Sequence, residues 1–473
     1  MRLYAYICQN KSMTLIASVS GIRGTIGGEI NDNLTPVDVV AFAAAYGSWI
    51  KTKHQSATVV VGRDARISGP MVQALVQQTL VSLGIDVIDV GLSTTPTVEM
   101  EVVRKQAQGG IIITASHNPK QWNALKLLNN KGEFISAEDG AKLMQYVNDQ
   151  SYAFVGVDAL GKISVVTDAL SAHIDAILSL PQVHVAAIKA AGFCAVVDGV
   201  NSSGGIAVPM LLEQLGVKVH KIHCTPNGEF PHNPEPLKEH LIDLSAAVTA
   251  QHADLGIAVD PDVDRLVFMD ENGLLFGEEY TLVTCADYML QSEKGPLVSN
   301  LSSSRALADL ANDYGVKYHA SAVGEVHVVA KMKEVKALIG GEGNGGVILP
   351  ALHYGRDALV GIALFLSHLA KENTSVSALK ERYAAYVMHK KKIELSPSWD
   401  ADALLAAVAT AFADARVTTI DGVKIDFDDS WIHLRKSNTE PIIRLYGEAK
   451  SQATMEAKID KIEAAIAAFV ASA

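Results

Sequence analysis

Three carboxylates stand at alternate positions in the stretch "AVDPDVDRLVF": Asp260, Asp262 and Asp264. Ionised side chains this close repel strongly. The least costly compensation is a divalent cation bound through oxygen, Mg²⁺ before Ca²⁺ because few ligands are offered. An EF-hand is rejected. Glu271 falls where its twelfth ligand would be, but Arg265 replaces the required glycine and an apolar run fills the second half of the loop. The plain alternative is a solvated acidic turn. Against it stands Leu255–Val259, an apolar strand that opens directly into the loop.

A second candidate is Ser116 in "GGIIITASHNP", where a β-branched run stops abruptly. His117 is not expected to act as its base, because neighbouring side chains of extended chain point to opposite faces. The nucleophile elbow of α/β-hydrolases is also absent, since Thr114 and Asn118 occupy its glycine positions. The alternative is a turn in which Ser116 and Asn118 satisfy backbone groups ahead of Pro119. Three further loops carry anion or sugar chemistry. "WIHLRKSNTEPIIRLYGEA" breaks between two strands and offers Ser437, Asn438 and Thr439 flanked by Arg435 and Arg444. Hydroxyls, exposed backbone N–H groups and guanidinium forks suit a phosphate dianion. "GGEGNGGVILP" sets Glu342 and Asn344 among glycines, where a carboxylate and an amide could meet sugar hydroxyls. "VSGIRGTIGG" places Arg23 in another glycine loop. Read singly, the first is better taken as a hairpin turn with surface arginines, and the other two are equally glycine turns.

The elements that must position these groups follow one recurring pattern. "ATVVVGRDARISGPMVQALVQQTLVSLGIDVIDVG", "FCAVVDGVNSSGGIAVPMLLEQLGVKVHKIHC" and "GPLVSNLSSSRALADLANDYGVKYHASAVG" each read as strand, polar loop, amphipathic helix and strand. Such a βαβ crossover implies parallel pairing, with ligands gathered at the carboxyl ends of the strands. The expected fold is therefore α/β: three tandem βαβ-type mixed-sheet domains, then a C-terminal α+β domain, around a central cleft. The expected divisions are 1–155, 156–256, 257–386 and 387–473.

A chain of 473 residues is too long for one core, which agrees with several domains. Its net charge of -12 argues against non-specific nucleic-acid or membrane binding. Cys8, Cys194, Cys224 and Cys285 are scattered, as expected for reduced thiols in a cytoplasmic protein. No apolar run is long enough to span a bilayer. The first residues do not read as a signal peptide, and Met13 is an alternative start.

Taken together and in this order, a serine after "TA", a D-x-D-x-D-R loop, a G-E-x-x-G loop and an R-x-S-x-T-E-P loop resemble the α-D-phosphohexomutases. The likeness runs from about Met13 to the end. It implies that Ser116 carries a phosphoryl group, and that Asp260, Asp262 and Asp264 hold one Mg²⁺ together with the phosphoserine oxygen. Arg265 and Lys126 match basic catalytic positions, Lys126 being the acid/base candidate. Arg23 and His117 line the reaction centre, with His117 expected to be partly cationic beside the phosphate. Glu342 and Asn344 would recognise the sugar. Arg435, Ser437, Asn438, Thr439 and Arg444 would hold the non-reacting phosphate.

The implied partner is a small sugar phosphate, with a hexose 1,6-bisphosphate as activator and a monomer or homodimer as the working form. Many mutases of glucose and mannose phosphates carry G-E-x-S-x-H in the sugar loop. Asn344 and Gly346 replace that serine and histidine here, a form that resembles phosphoglucosamine mutases. Phosphogluco/phosphomannomutase is the runner-up. A non-catalytic sugar-phosphate binder and a serine hydrolase are the rival classes.

Overall fold

Thr58–Arg63 becomes a strand because its valines fit a pleated, fully covered surface. In the computed structural model, which describes residues 13–18, 21–396, 399–437 and 442–472, it lies between Asp86–Leu92 and Gly109–Ile113, parallel to both. The helix Gly69–Ser82 makes the crossover. The second and third recurrences do the same. Cys194–Asp198 and Lys218–Ile222 pair in parallel around the helix Gly204–Gln214. Leu297–Asn300 and Tyr318–Ser321 pair in parallel around Ala306–Asp313.

Each sheet also takes antiparallel neighbours, and these edges carry the loops of interest. Gly109–Ile113 pairs with Trp122–Leu128, setting Ile112 opposite Lys126, so the serine loop is the turn of a hairpin. Leu255–Val259 pairs with Leu266–Met269, and the carboxylate loop is the turn between them. Ile339–Glu342 pairs with Gly346–Ile348 around the glycine loop. The last unit is a five-stranded antiparallel sheet backed by the helices Ala401–Ala411 and Gln452–Ser472.

Sheet pairing moves two of the expected divisions. A break at 256/257 would cut the strand Leu255–Val259. That strand is parallel to Cys194–Asp198, and its hairpin partner continues the second sheet through Met269. The first sheet likewise gains Ile163–Val165 as its outer strand, beyond residue 155.

The cores do not follow the sheets one for one. The second and third sheets share a continuous apolar core, in which Leu211, Phe268, Leu290 and Phe365 are all buried. Phe268 and Phe365 stack with ring centroids 3.7 Å apart. The C-terminal sheet has a separate core built on Leu404, Ile432, Leu445 and Ile462. Its contacts with the third unit include polar ones: Ser302 Oγ to His433 Nδ1 at 2.8 Å, and the Arg305 N–H donating to Glu448 at 2.8 Å. The apolar helix Ala358–Glu372 is sunk in the shared core and capped by Asp357, whose carboxylate accepts from the N–H groups of Leu359 and Val360. Among the described residues no helix is long and apolar enough to cross a membrane.

Candidate active site

The serine loop is held from below. Arg66, wholly buried at the carboxyl end of Thr58–Arg63, pairs with Asp64 at 3.0 Å. Its remaining N–H groups donate to the carbonyls of Ser116, Asn118 (2.6 Å), Pro119 (2.8 Å) and Trp122 (3.0 Å). Asp64 also accepts from the Thr114 hydroxyl at 2.7 Å, and Thr114 Oγ1 in turn accepts from the Ser116 N–H at 2.9 Å. Ser116 itself has a left-handed backbone, φ 48°. The extended-chain alternation expected of Ser116 and His117 therefore fails at this residue. The two side chains approach to 3.4 Å between Ser116 Oγ and His117 Nδ1.

Ser116 Oγ donates to Asp260 Oδ2 at 2.6 Å, which joins the serine loop to the carboxylate loop 144 residues away. Asp260, Asp262 and Asp264 are all fully buried, and their ligand-type oxygens lie within 4.8 Å of one another. Lys126 Nζ bridges Asp262 (2.6 Å) and Asp264 (3.0 Å) on their Oδ2 atoms. Asp262 Oδ1 and Asp264 Oδ1 are buried with no hydrogen-bond partner. Orphaned carboxylate oxygens converging beside a serine hydroxyl fit a small divalent cation. Glu271 faces elsewhere, accepting from the Ser377 N–H at 3.2 Å, which agrees with rejecting an EF-hand.

The electrostatics sort these groups. Burial pushes the Asp260 carboxyl well up, and Asp264 and Asp262 push it further. Burial also opposes ionisation of Asp264, but Arg356, Lys126 and Arg265 outweigh it and hold that carboxyl below the ordinary range. Burial disfavours the charged Lys126, yet Asp262 and Asp264 raise its pKa above the usual lysine value, so it is held as an ammonium. Burial and then Arg265, with Arg356 and Arg23 beyond, press the pKa of His117 well down against the pull of Asp264, whereas the phosphate beside which a cationic imidazole is expected would act in the other direction.

Above the serine opens a cleft of about 580 Å³ with walls from every unit. Arg23 and His117 come from the first, Glu235 and Arg265 from the second, Asn300, Glu342 and Asn344 from the third, and Arg435 and Arg444 from the fourth. Arg265 pairs with Glu235 at 3.2 Å and donates its backbone N–H to Asp260. Burial and then Arg444 lower the pKa of Arg23, so cations of the first and fourth units face one another across the cleft. Arg435 and Arg444 are register partners on adjacent strands, and Arg435 lies 3.5 Å from Asp421. Ser437 follows at the strand end, buried, with its N–H on the Ile442 carbonyl. Asn438 and Thr439 lie outside the described residues.

Glu342 accepts from Asn300 Nδ2 (2.7 Å) and the Gly324 N–H on one oxygen, and from Arg356 (2.9 Å) on the other. Gly343 leaves room for a cleft carboxylate: a Cβ there would lie 1.9 Å from Glu279 Oε2, so a larger residue would displace the end of that side chain. The structure thus brings together Ser116, His117, Lys126, Arg23, Arg265, the three aspartates, Glu342, Asn344, Arg435 and Arg444. Sequence reasoning missed Asp64, Arg66, Thr95 and Arg356. Asp64 and Arg66 carried a usable signal, since "GRDAR" sits at the carboxyl end of a parallel strand. Thr95 donates its hydroxyl to Asp262 Oδ2 and gave none.

Comparison with known proteins agrees in coverage and order. The descriptions "Phosphoglucomutase/phosphomannomutase, alpha/beta/alpha domain I", "domain II" and "domain III" match residues 15–153, 171–273 and 277–386, and the family's "C-terminal domain" matches 388–465. A phosphoglucomutase/phosphomannomutase of Thermococcus kodakarensis is 37% identical over 436 residues, covering 91% of this chain and 94% of that protein. A phosphoglucosamine/phosphogalactosamine mutase of Sulfurisphaera tokodaii is 30% identical over 447 residues, covering 93% and 96%. A crystal structure of a phosphoglucomutase/phosphomannomutase family protein from Burkholderia thailandensis superposes with TM-score 0.83 at 25% identity, covering 97% of this chain and 98% of its own.

Proposed function

This chain belongs to the phosphoglucomutase/phosphomannomutase family of phosphohexomutases, and we propose that it interconverts glucosamine 6-phosphate and glucosamine 1-phosphate through a phosphorylated Ser116. The observation that carries this reading is the 2.6 Å contact of Ser116 Oγ with Asp260, next to a cleft lined by His117 and Arg265 and also by Arg435 and Arg444. Cations from the first, second and fourth units lining one cleft suit a ligand that carries more than one phosphate.

Asp260, Asp262, Asp264 and the phosphoserine oxygen would hold Mg²⁺, which when bound supplies charge neutralisation at the transferring group. The chain's own residues do the rest. The Arg66 clamp fixes the serine at the strand end. The phosphoryl–Oγ bond of Ser116 breaks as a bond to the sugar O1 forms, giving the 1,6-bisphosphate. Lys126 is the group we assign to carry the proton: its ammonium protonates Ser116 Oγ, and the amine left behind takes the proton that the sugar O1 hydroxyl gives up, the reverse exchange serving the return transfer from O6. The sugar turns end for end, Arg435 and Arg444 take the phosphate that is not reacting, and the O6 phosphoryl group returns to Ser116. Glu342 and Asn344 orient the ring. A hexose 1,6-bisphosphate added from solution primes the serine. The hydrogen-bonded seam between the third and fourth units supports movement of the fourth as a lid, since polar contacts exchange with water at small net cost.

The choice of glucosamine rests on the "GEGNGG" form of the sugar loop and on relatives named for that substrate. The Thermococcus relative favours a second reading, glucose or mannose phosphate. Side-by-side kcat/KM values for glucosamine, glucose and mannose 6-phosphates decide between them. A preference for mannose phosphate overturns the substrate, and no turnover of any of the three overturns the reaction. Ser116→Ala is expected to lose both turnover and the added phosphoryl mass after bisphosphate treatment. Near wild-type turnover by that variant would remove the serine from the mechanism.

A further inference from the structure

The space beside Gly346 belongs to one arginine. A Cβ at position 346 would lie 2.4 Å from Arg356 Cδ and 3.1 Å from its Cγ, so a glycine there is the condition for the arginine chain to pass. Arg356 is nearly buried, and its guanidinium ends among three carboxylates from three segments. It reaches Asp264 Oδ2 at 2.7 Å in the metal loop, Glu342 Oε2 at 2.9 Å in the sugar loop, and Glu325 Oε2 at 2.9 Å. Asn344 Oδ1 lies 3.5 Å from the nitrogen that holds Glu342. The backbone beneath is equally tied. The Asp357 N–H donates to the Val347 carbonyl beyond the sugar loop, and the Ala358 N–H to the Val263 carbonyl inside the metal loop.

We propose that Arg356 is the positioning residue that couples the metal loop to the sugar loop, setting Glu342 and Asn344 against Asp264 and thereby fixing which hexose phosphate is accepted. The proposal deepens the mutase reading and rests on it for its kinetic arm. A planar fork with fixed N–H directions can hold two carboxylates in one geometry, which a lysine cannot. The loop's two departures from the G-E-x-S-x-H pattern then have a single cause. Gly346 makes room for Arg356, and Asn344 presents an amide oxygen to it.

Two variants disturb the coupling by different routes. Arg356→Met removes the fork. Gly346→Ala leaves every charge in place and pushes the arginine aside. Both are expected to raise KM for the preferred sugar phosphate about 10-fold or more. Both should bring the kcat/KM values for glucosamine, glucose and mannose phosphates to within about 3-fold of one another. Mg²⁺ titration by calorimetry, without sugar, supplies an arm independent of turnover. Arg356→Met is expected to bind Mg²⁺ about 3-fold or more tightly, because a competing cation has left Asp264.

Wild-type KM and an unchanged sugar preference in both variants would overturn the proposal. So would a fall in kcat alone, or an unchanged Mg²⁺ affinity in Arg356→Met. Turnover by the wild-type chain tests the mutase reading, and variant-to-wild-type ratios together with the Mg²⁺ arm test Arg356, so the two fail separately.

Discussion

Replacing Arg66 by methionine is expected to free the serine loop, and the size of the effect follows from what the guanidinium holds. Methionine keeps the bulk of the chain but abandons four carbonyls and the carboxylate of Asp64. The carbonyls of Asn118 and Pro119 sit at the open end of the loop and can turn to water, so the stranded carboxylate dominates. Breaking a buried ion pair by removing one partner costs about 3–5 kcal/mol. The cost has a ceiling, because Asp64 can escape by taking a proton. At pH 7 that costs about 4 kcal/mol from an ordinary carboxyl pKa near 3.9, and at pH 5 only about 1.5 kcal/mol.

Burial already lifts the Asp64 pKa against the pull of Arg66, so protonation is the expected route. Hydrogen exchange of peptides spanning residues 109–128, read by mass spectrometry and corrected for intrinsic rates, should show loop protection falling by about 100-fold or more at pH 7. At pH 5 the fall should be about 10-fold. Asp64→Asn combined with Arg66→Met strands no charge and should recover part of the loss. Protection within about 3-fold of wild type, or an equal defect at both pH values, would refute the clamp.

Three further outcomes are expected. The first concerns His353, which lies between Asp357 (3.3 Å) and Glu99 (3.4 Å). Burial opposes its charge, but those two carboxylates raise its pKa to about 10, while burial, against His353, raises Glu99 to about 8. Both folded values exceed the unfolded ones, so the stability they supply is complete below the ordinary values of 4.5 and 6.5 and is lost as pH rises from there through about 8 for Glu99 and about 10 for His353. Tm should fall across that window, and His353→Gln should flatten the upper part of the profile. Second, adding Mg²⁺ to metal-stripped protein should raise Tm, by about 2.7 kcal/mol of stabilisation at 100-fold excess over Kd. Asp262→Asn should lose most of that shift in scanning calorimetry, and an undiminished shift would place the ion elsewhere. Third, Gly343→Ala puts a Cβ against Glu279 and should raise KM about 10-fold with Tm little changed, checked by steady-state kinetics beside thermal melting.

The pattern of strands was legible because each recurrence repeats the same local grammar, from the valines of Thr58–Arg63 to the glycine that opens the return strand. Ser116 and the three aspartates were legible because polar groups interrupting apolar strands are conspicuous. What stayed hidden was what depends on pairing between distant segments. The division at 256/257 failed because a hairpin turn and a domain linker look alike until the partner strand is known. The pressure that Arg265, Arg356 and Arg23 put on His117 was hidden because they arrive from three places in the chain. Arg356 was invisible for the same reason. Beside Asp357 it reads as an ordinary helix start, and only the fold shows that it crosses to Asp264 and Glu342.

The shared core of the second and third sheets has a consequence for how the chain can be taken apart. With Leu211, Phe268 and Phe365 in one continuous interior, a cut between those sheets would expose apolar surface on both pieces, and neither could stand alone. The C-terminal sheet, with its private interior, is a detachable cassette. Recombination between relatives that exchanges only this cassette would transplant Arg435 and Arg444 while leaving the serine, the carboxylates and the sugar loop in their native surroundings. The architecture therefore leaves the Arg435–Arg444 pair free to be swapped, and fuses the carboxylate and glycine loops into a part that can only change as a whole.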